Sequence, residues 1–274
     1  MTPHFGLIIV GDEILSGKRA DKHMAKAIEL LGTRGLTLSY AHYVGDDPAR
    51  ITGTLAQAFE DARARGDVVF SCGGIGATPD DHTRQCAARA LGEDLQLHPE
   101  AELLIIERMK DTAREQGVAF DPDRSDNVHR LNMGVFPTSA AIIPNPYNKI
   151  PGFSCRAGEG AVHFLPGFPV MAWPMMEWVL DTHYAQHQRQ SAKVEKSVIV
   201  FGAMESTLTP LMESLEAGHP AIRVFSLPSV DHPQYGRHIE LGVKGEAAVV
   251  DAAYADLLAG LKRFELTLGP ELVR

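Results

Sequence analysis

Two short apolar runs constrain this chain more than anything else: "FGLIIV" at 5–10 and "DVVFSC" at 67–72. Neither shows the polar alternation of a half-exposed strand, and both are too short for a helix. Each reads as a strand buried on both faces. "LTLSYAHYV" adds an alternating strand through Leu36, Leu38 and Tyr40. The segments between have helical spacing. "DKHMAKAIELLG" repeats Met24, Ala27, Ile28 and Leu31, and "PARITGTLAQAFEDARARG" repeats Ile51, Leu55, Ala58, Phe59 and Ala62 before Gly66 stops it. "HTRQCAARALG" continues the alternation as a helix. Buried strands alternating with helices predict an α/β fold, a mostly parallel sheet covered by helices on both faces.

The middle of the chain is less regular. "PEAELLIIERMKDTAREQG" predicts a helix with Leu103, Ile106, Met109 and Ala113 on its inner face, and Ser125 is placed to cap a short helix. Residues 140–169 predict two short strands between turns rich in proline and glycine. The Met- and Trp-rich helix that follows reads as core. The polar stretch "QHQRQSAK" (186–193) marks a boundary. Two domains are expected, residues 1–187 and 194–274, the second a small α+β unit of order βαββα. In "HIELGVK" of that unit, Ile239, Leu241 and Val243 share one face.

Composition excludes several classes. A formal net charge of −9 argues against bulk nucleic-acid binding. Three cysteines at unrelated spacings (Cys72, Cys86, Cys155) form neither a disulfide framework nor a zinc pattern, as in a reducing compartment. No basic start with a long apolar run marks a signal peptide, and no run is long enough to span a bilayer. The expectation is a cytoplasmic protein with neither a nucleic-acid nor a membrane partner.

The chemistry concentrates in "SCGGIGATPDDHT" (71–83), which follows a buried strand and precedes a helix. Gly73, Gly74 and Gly76 clear side chains from the backbone, and N–H groups at a helix start favour an anion. There is neither a P-loop Lys-Ser/Thr pair nor a G-x-G-x-x-G dinucleotide fingerprint. Asp80 and Asp81 then require explanation. One is enough to cap the helix; two beside a phosphate are not neutral. The segment "GDEILSGKRADKH" (11–23) also follows a strand end, so Asp12 and Glu13 stand to face Asp80 and Asp81. Two like charges at 4 Å repel by about 4 kcal/mol at an effective dielectric of 20. A divalent cation reverses that sign, and Mg²⁺ commonly takes one or two carboxylates, with water and phosphate completing its shell. The alternatives at this stage are a capped turn at 80–81 and a solvated turn at 12–13. Lys18 and Arg19 are either phosphate clamps or solvated charges. Cys72 reads as a small core residue.

Five stretches in order, "GDEILSGKRAD", "VGDD", "GGIGATPDDHT", "PNPYNKIPGF" and "LPGFP", resemble the MoaB/Mog molybdopterin-binding domain. The variant is similar to the N-terminal part of the competence/damage-inducible protein CinA, and the group also resembles the first domain of animal FAD synthetases. The resemblance covers residues 4–185, with the 195–265 unit similar to the small domain that follows in CinA-like proteins. CinA's C-terminal amidohydrolase domain has no counterpart, so amide hydrolysis is not expected. The resemblance implies a small-molecule ligand, molybdopterin or an adenine nucleotide, held with Mg²⁺. It implies adenylyl transfer to a pterin phosphate, or hydrolysis of ADP-ribose-like pyrophosphates, and a homo-oligomer. By it, Asp12 and Asp81 hold the metal, with Asp80 and Glu13 beside them in the catalytic set. Gly73, Gly74, Gly76 and Thr78 cradle phosphate with Lys18 and Asn145, and Pro166 and Gly167 approach the ligand. The chain departs from the pattern at His23, Cys72, Asn148 and Met171, with Asn148 able to supply a left-handed turn residue in place of glycine. Two other functions stay open: a carrier or sensor without turnover, and an oligomeric scaffold with a vestigial site.

Overall fold

The computed structural model describes residues 3–188 and 193–274. The chain divides into two compact units, Met1–Gln188 and Arg189–Arg274. Of the expected boundary at 186–193, Gln186 and His187 close a short 3-10 turn, and residues 189–192 lie outside the described residues.

The first unit runs β1 (Phe5–Val10), α1 (Asp12–Leu15), α2 (His23–Gly32), β2 (Leu38–Val44), α3 (Pro48–Arg65), β3 (Val68–Cys72) and α4 (Thr83–Leu91). It continues through β4 (Leu95–Leu97), α5 (Pro99–Glu115), α6 (Ser125–Leu131), β5 (Val135–Pro137), β6 (Ala141–Ile143), β7 (Gly152–Ala157), β8 (Gly160–Leu165) and α7 (Pro169–His183). Its main sheet has the order β2-β1-β3-β8-β7-β6. The β2-β1-β3-β8 part is parallel, and β7 and β6 extend it antiparallel. The apolar runs are buried because both faces of the sheet are covered. Along β1, Ile8 and Val10 face a core built with Ile51, Leu55 and Phe59 of α3, while Phe5, Leu7 and Ile9 face α2 and α7. Burying each large α3 side chain contributes about 1.5–3 kcal/mol. At the start of α3, Asp47 caps the helix by accepting the Arg50 N–H, and Pro48 sits where its missing N–H costs nothing.

Four local expectations are corrected. In α2 the buried residues are His23, Ala27, Leu30 and Leu31, leaving Met24 and Ile28 exposed. In α5 the inner face runs through Ala101, Ile105, Met109 and Ala113, so Ile105 replaces Ile106 and Leu103 points outward. Both helices carry apolar residues on two adjacent faces, and periodicity cannot choose between them. Ser125 is the first residue of α6, and no side chain caps that helix. Residues 140–169 form three strands rather than two, β6, β7 and β8, because β7 and β8 make a tight hairpin through Gly158.

The second unit runs β9 (Lys193–Phe201), α8 (Glu205–Gly218), β10 (Ile222–His232), β11 (Gly236–Glu246), α9 (Ala247–Leu261) and β12 (Thr267–Val273). Its antiparallel sheet has the order β10-β11-β9-β12, with Ile239, Leu241 and Val243 on the buried face against α8 and α9. The sixth element β12, absent from the expected βαββα order, pairs with β9. Pro270 and Gly269 within it disguise a strand.

Candidate functional site

The connections after β1 and β3 run to opposite sides of the sheet, since β2 lies beyond β1 and β8 beyond β3. The strand order reverses between β1 and β3, and a doubly wound sheet opens a crevice at that point, beyond the carboxyl ends of its strands. The cleft lies there. It has a volume of about 700 Å³, within the range of small-molecule sites. Its walls come from the ends of β1, β2, β3 and β8 and from the turn before β7.

The glycine loop forms the floor. Gly73 has φ +108°, and a Cβ there would collide with the Val10 carbonyl, so only glycine lets the two strand ends approach. The Gly73 N–H is used by Leu165 O at 2.9 Å. Among the described residues, the next four N–H groups, Gly74 to Ala77, find no protein acceptor. Arg84 explains how they are held. Its guanidinium lies behind the loop and Nη1 donates to the carbonyls of Ile75 and, at 2.6 Å, Gly76. With the carbonyls pulled toward α4, the amides remain for the cleft. Burial draws the Arg84 pKa down, against the raising effect of the Asp81 charge. A guanidinium nevertheless stays cationic, so a fixed positive charge backs the loop. Sequence reasoning missed Arg84; a lone arginine in "HTRQ" gives no signal until the fold returns it to the loop.

The carboxylates divide into two sets. Asp81 closes the loop on itself: Oδ2 accepts from the Thr78 N–H at 2.8 Å and from the Thr78 hydroxyl at 2.6 Å. A Cβ at Gly76 would stand 2.6 Å from that oxygen, so Gly76 makes room for this turn. Asp12 and Asp46 each accept the other's backbone N–H on a carboxylate oxygen. The Asp12 N–H donates to Asp46 Oδ2 at 2.9 Å, and the Asp46 N–H donates to Asp12 Oδ1 at 3.2 Å. This tie joins the loops after β1 and β2. Glu13, Asp46, Asp80 and Asp81 line the cleft; Asp12 does not. Asp46 takes the wall position expected of Asp12. Partial burial holds the Asp46 carboxyl above its ordinary range, and the charges of Asp12, Glu13 and Asp80 push it the same way. Among the described residues, no three His, Cys, Asp or Glu side chains converge tightly enough to hold an ion by themselves.

The other expected residues distribute as follows. Thr78, Lys18, Arg19, Asn145, Pro166 and Gly167 all line the cleft. Asn145 is buried and fully employed: Nδ2 donates to Asn148 Oδ1 and Ile150 O, and Oδ1 accepts the Tyr147 N–H. Its role is to shape the turn. The left-handed residue of that turn is Lys149, φ +65°, and not Asn148. Asn148 instead accepts the Ile150 N–H at 3.1 Å. Gly167 is fixed by His23, whose Nε2 donates to the Gly167 carbonyl at 3.0 Å. Cys72 is buried, and burial pushes its thiol pKa up, so it packs in the core and is no nucleophile.

Parallel strands between two helical layers, with a glycine loop and paired acidic loops at the switch point, define an α/β protein whose cleft is built for a small molecule. The profile of the family described as "Probable molybdopterin binding domain" matches residues 6–185, and the chain belongs to that family. A CinA-like protein of Syntrophotalea carbinolica is 31% identical over 225 residues, 79% of this chain and 51% of the relative. The chain therefore spans about half the length of that relative. A protein of Aeropyrum pernix is 30% identical over 266 residues, 95% of this chain and 92% of the relative. Among solved structures, CinA from Thermoplasma acidophilum, described as of unknown function, has a TM-score of 0.54 and 28% identity. The alignment covers 66% of this chain and 97% of that one. No described helix is long and apolar enough to cross a membrane.

Proposed function

We propose that the protein binds a pterin or adenine-nucleotide ligand through its phosphate or diphosphate and catalyses attack at phosphorus. The observation that carries this reading is the run of four unpaired amides from Gly74 to Ala77, backed by the Arg84 charge. Such a row is an anion site, and donors fixed in advance stabilise charge that develops on phosphoryl oxygens. Lys18 and Arg19 line the same cleft and add positive charge.

The acids fit a divalent cation in the Mg²⁺ class. Asp46, with Glu13 or Asp80 beside it, would hold it, with water and phosphate oxygens completing the shell. A cation there offsets the charges of Asp12, Glu13 and Asp80 that, after burial, keep the Asp46 carboxyl above its ordinary range. When bound, the ion supplies neutralisation of phosphate charge. The chain's own residues orient the reactants. The loop amides fix the phosphate, and Asp81 holds the loop closed through Thr78. Two reactions suit this arrangement. In one, a phosphate oxygen of the pterin attacks the α-phosphorus of ATP and diphosphate leaves. In the other, water attacks an ADP-ribose-type diphosphate, giving AMP and a sugar phosphate.

The test is direct. Purified protein with Mg²⁺ is given ADP-ribose, FAD, or ATP with molybdopterin, and AMP or the adenylylated pterin is sought by chromatography. Product that disappears in Asp81→Asn and Asp46→Asn supports the enzyme. A raised melting temperature without product makes the protein a carrier. No response to any ligand ends the reading.

A further inference from the structure

Phe168 is 53% exposed, although it directly follows Gly167, whose carbonyl is held by His23. Its backbone has conventional work. It is the extended residue before α7, with φ −89° and ψ 119°, and its carbonyl accepts the N–H groups of Met171 and Ala172. Any residue does that, so the fold has no use for the ring. The position is nonetheless rigid. The preceding Gly167 is held by His23 Nε2 at 3.0 Å, and a Cβ on Gly167 would lie 3.5 Å from Gly73 Cα. The ring therefore stands beside the glycine loop on a fixed backbone. It lines the main cleft and also a second compartment of about 400 Å³. Arg19, from the first loop, brings its guanidinium carbon to 5.8 Å from the ring centroid. Arg19 also lines both compartments, and its N–H is anchored on Glu13 O at 2.9 Å.

An exposed aromatic ring paired with a guanidinium plane is a stacking surface, for a flat π-system gains from both. The geometry points to Phe168, with Arg19, as the residue that recognises the flat nitrogen heterocycle of the ligand, while the glycine loop takes its phosphate. This rests on the phosphate-ligand reading above and adds the end of the ligand that the loop does not touch. It assigns selection between base-bearing diphosphates and bare phosphates to one side chain. The heterocycle is a purine or a pterin; both present the same flat face.

The experiment compares three probes by calorimetry in Mg²⁺: ADP, 6-hydroxymethylpterin diphosphate and inorganic pyrophosphate. Wild-type protein is expected to prefer at least one base-bearing probe over pyrophosphate by about tenfold, the scale of one stacked base. Phe168→Ala is expected to abolish that preference and leave pyrophosphate affinity unchanged, and Phe168→Trp to restore it. In Phe168→Trp, the tryptophan emission added to that of Trp173 and Trp178 is expected to be quenched by the preferred base and not by pyrophosphate. That readout is insensitive to a merely structural role. An unaltered preference in Phe168→Ala, with pyrophosphate still bound, overturns the assignment and leaves the phosphate reading standing. Failure of wild-type protein to bind pyrophosphate or either diphosphate overturns both. The probe that gains from Phe168 decides between purine and pterin.

Discussion

Arg84 Nη1 reaches back eight residues to the Gly76 carbonyl at 2.6 Å. With its partner bond to the Ile75 carbonyl, that bond fixes two peptides of the glycine segment with their carbonyls turned to Arg84, the orientation the proposed anion cradle requires. Replacing Arg84 by Met keeps the buried stem and removes the donor. The carbonyls of buried Ile75 and half-buried Gly76 lose their partner, which costs about 1–3 kcal/mol. Urea denaturation of Arg84→Met is expected to show a loss of that size, with pyrophosphate affinity falling at least tenfold by calorimetry. Unchanged affinity would show that the loop holds its shape without the guanidinium.

Asp46 is pressed by burial and by three neighbouring carboxylates. Removing its charge relieves the ligand-free protein and, on the proposed function, weakens the cation site. Asp46→Asn still offers an oxygen to the Asp12 N–H, so the loop tie survives. Without metal its melting temperature is expected to equal or exceed that of wild type. The Mg²⁺ concentration giving half-maximal stabilisation by ADP is expected to rise about tenfold. Identical Mg²⁺ titrations in the two proteins would remove Asp46 from the cation site.

His163 is sealed between Ser154 Oγ and the Tyr184 hydroxyl, each at 2.7 Å. Burial, with smaller effects from His183 and Arg156, lowers its pKa to about 3. Unfolded, an imidazole titrates near 6.5. Below that value the unfolded chain takes up a proton that the folded chain refuses. The stabilising contribution is therefore complete above about pH 6.5 and is lost as pH falls toward 3. Between pH 7.5 and 5.5 the loss from this group is about 1.4 kcal/mol. Urea unfolding at the two pH values is expected to differ by that much more in wild type than in His163→Gln. Parallel pH dependence in the two proteins would refute the assignment.

The inner face of α5 is also open to test. Ile105 is fully buried and Leu103 is 65% exposed. Ile105→Ala is expected to cost about 2–5 kcal/mol and Leu103→Ala less than about 0.5 kcal/mol. The reverse order in chemical denaturation would mean that the helix is rotated from the orientation described.

Much of the first unit was legible in residue order alone. "FGLIIV" and "DVVFSC" are too apolar to be anything but interior strands, and α3 declares its face at every expected position. The glycine segment could be picked out as a candidate anion site because strand, glycines and helix follow one another in the chain, and the fold places it on the cleft. Within that segment Thr78 and Asp81 are three residues apart, so their pairing is local. The resemblance of five short motifs reached the family.

Other features needed the chain to fold back on itself. Helices α2 and α5 carry apolar residues on adjacent faces, and only the surface they meet selects between them. β12 contains Gly269 and Pro270 and becomes a strand through its partner β9. Asp12 was expected on the cleft wall, and Asp46, 34 residues away, stands there, tied to Asp12 because the backbone N–H of each donates to the other's carboxylate. Phe168 acquires meaning only beside Arg19, 149 positions earlier in the chain. Sequence determines what is settled within a turn or two of backbone, where period and composition set the local energy. Which charges and rings share one cleft depends on contacts between distant segments, and these exist only once the sheet has brought its strand ends together.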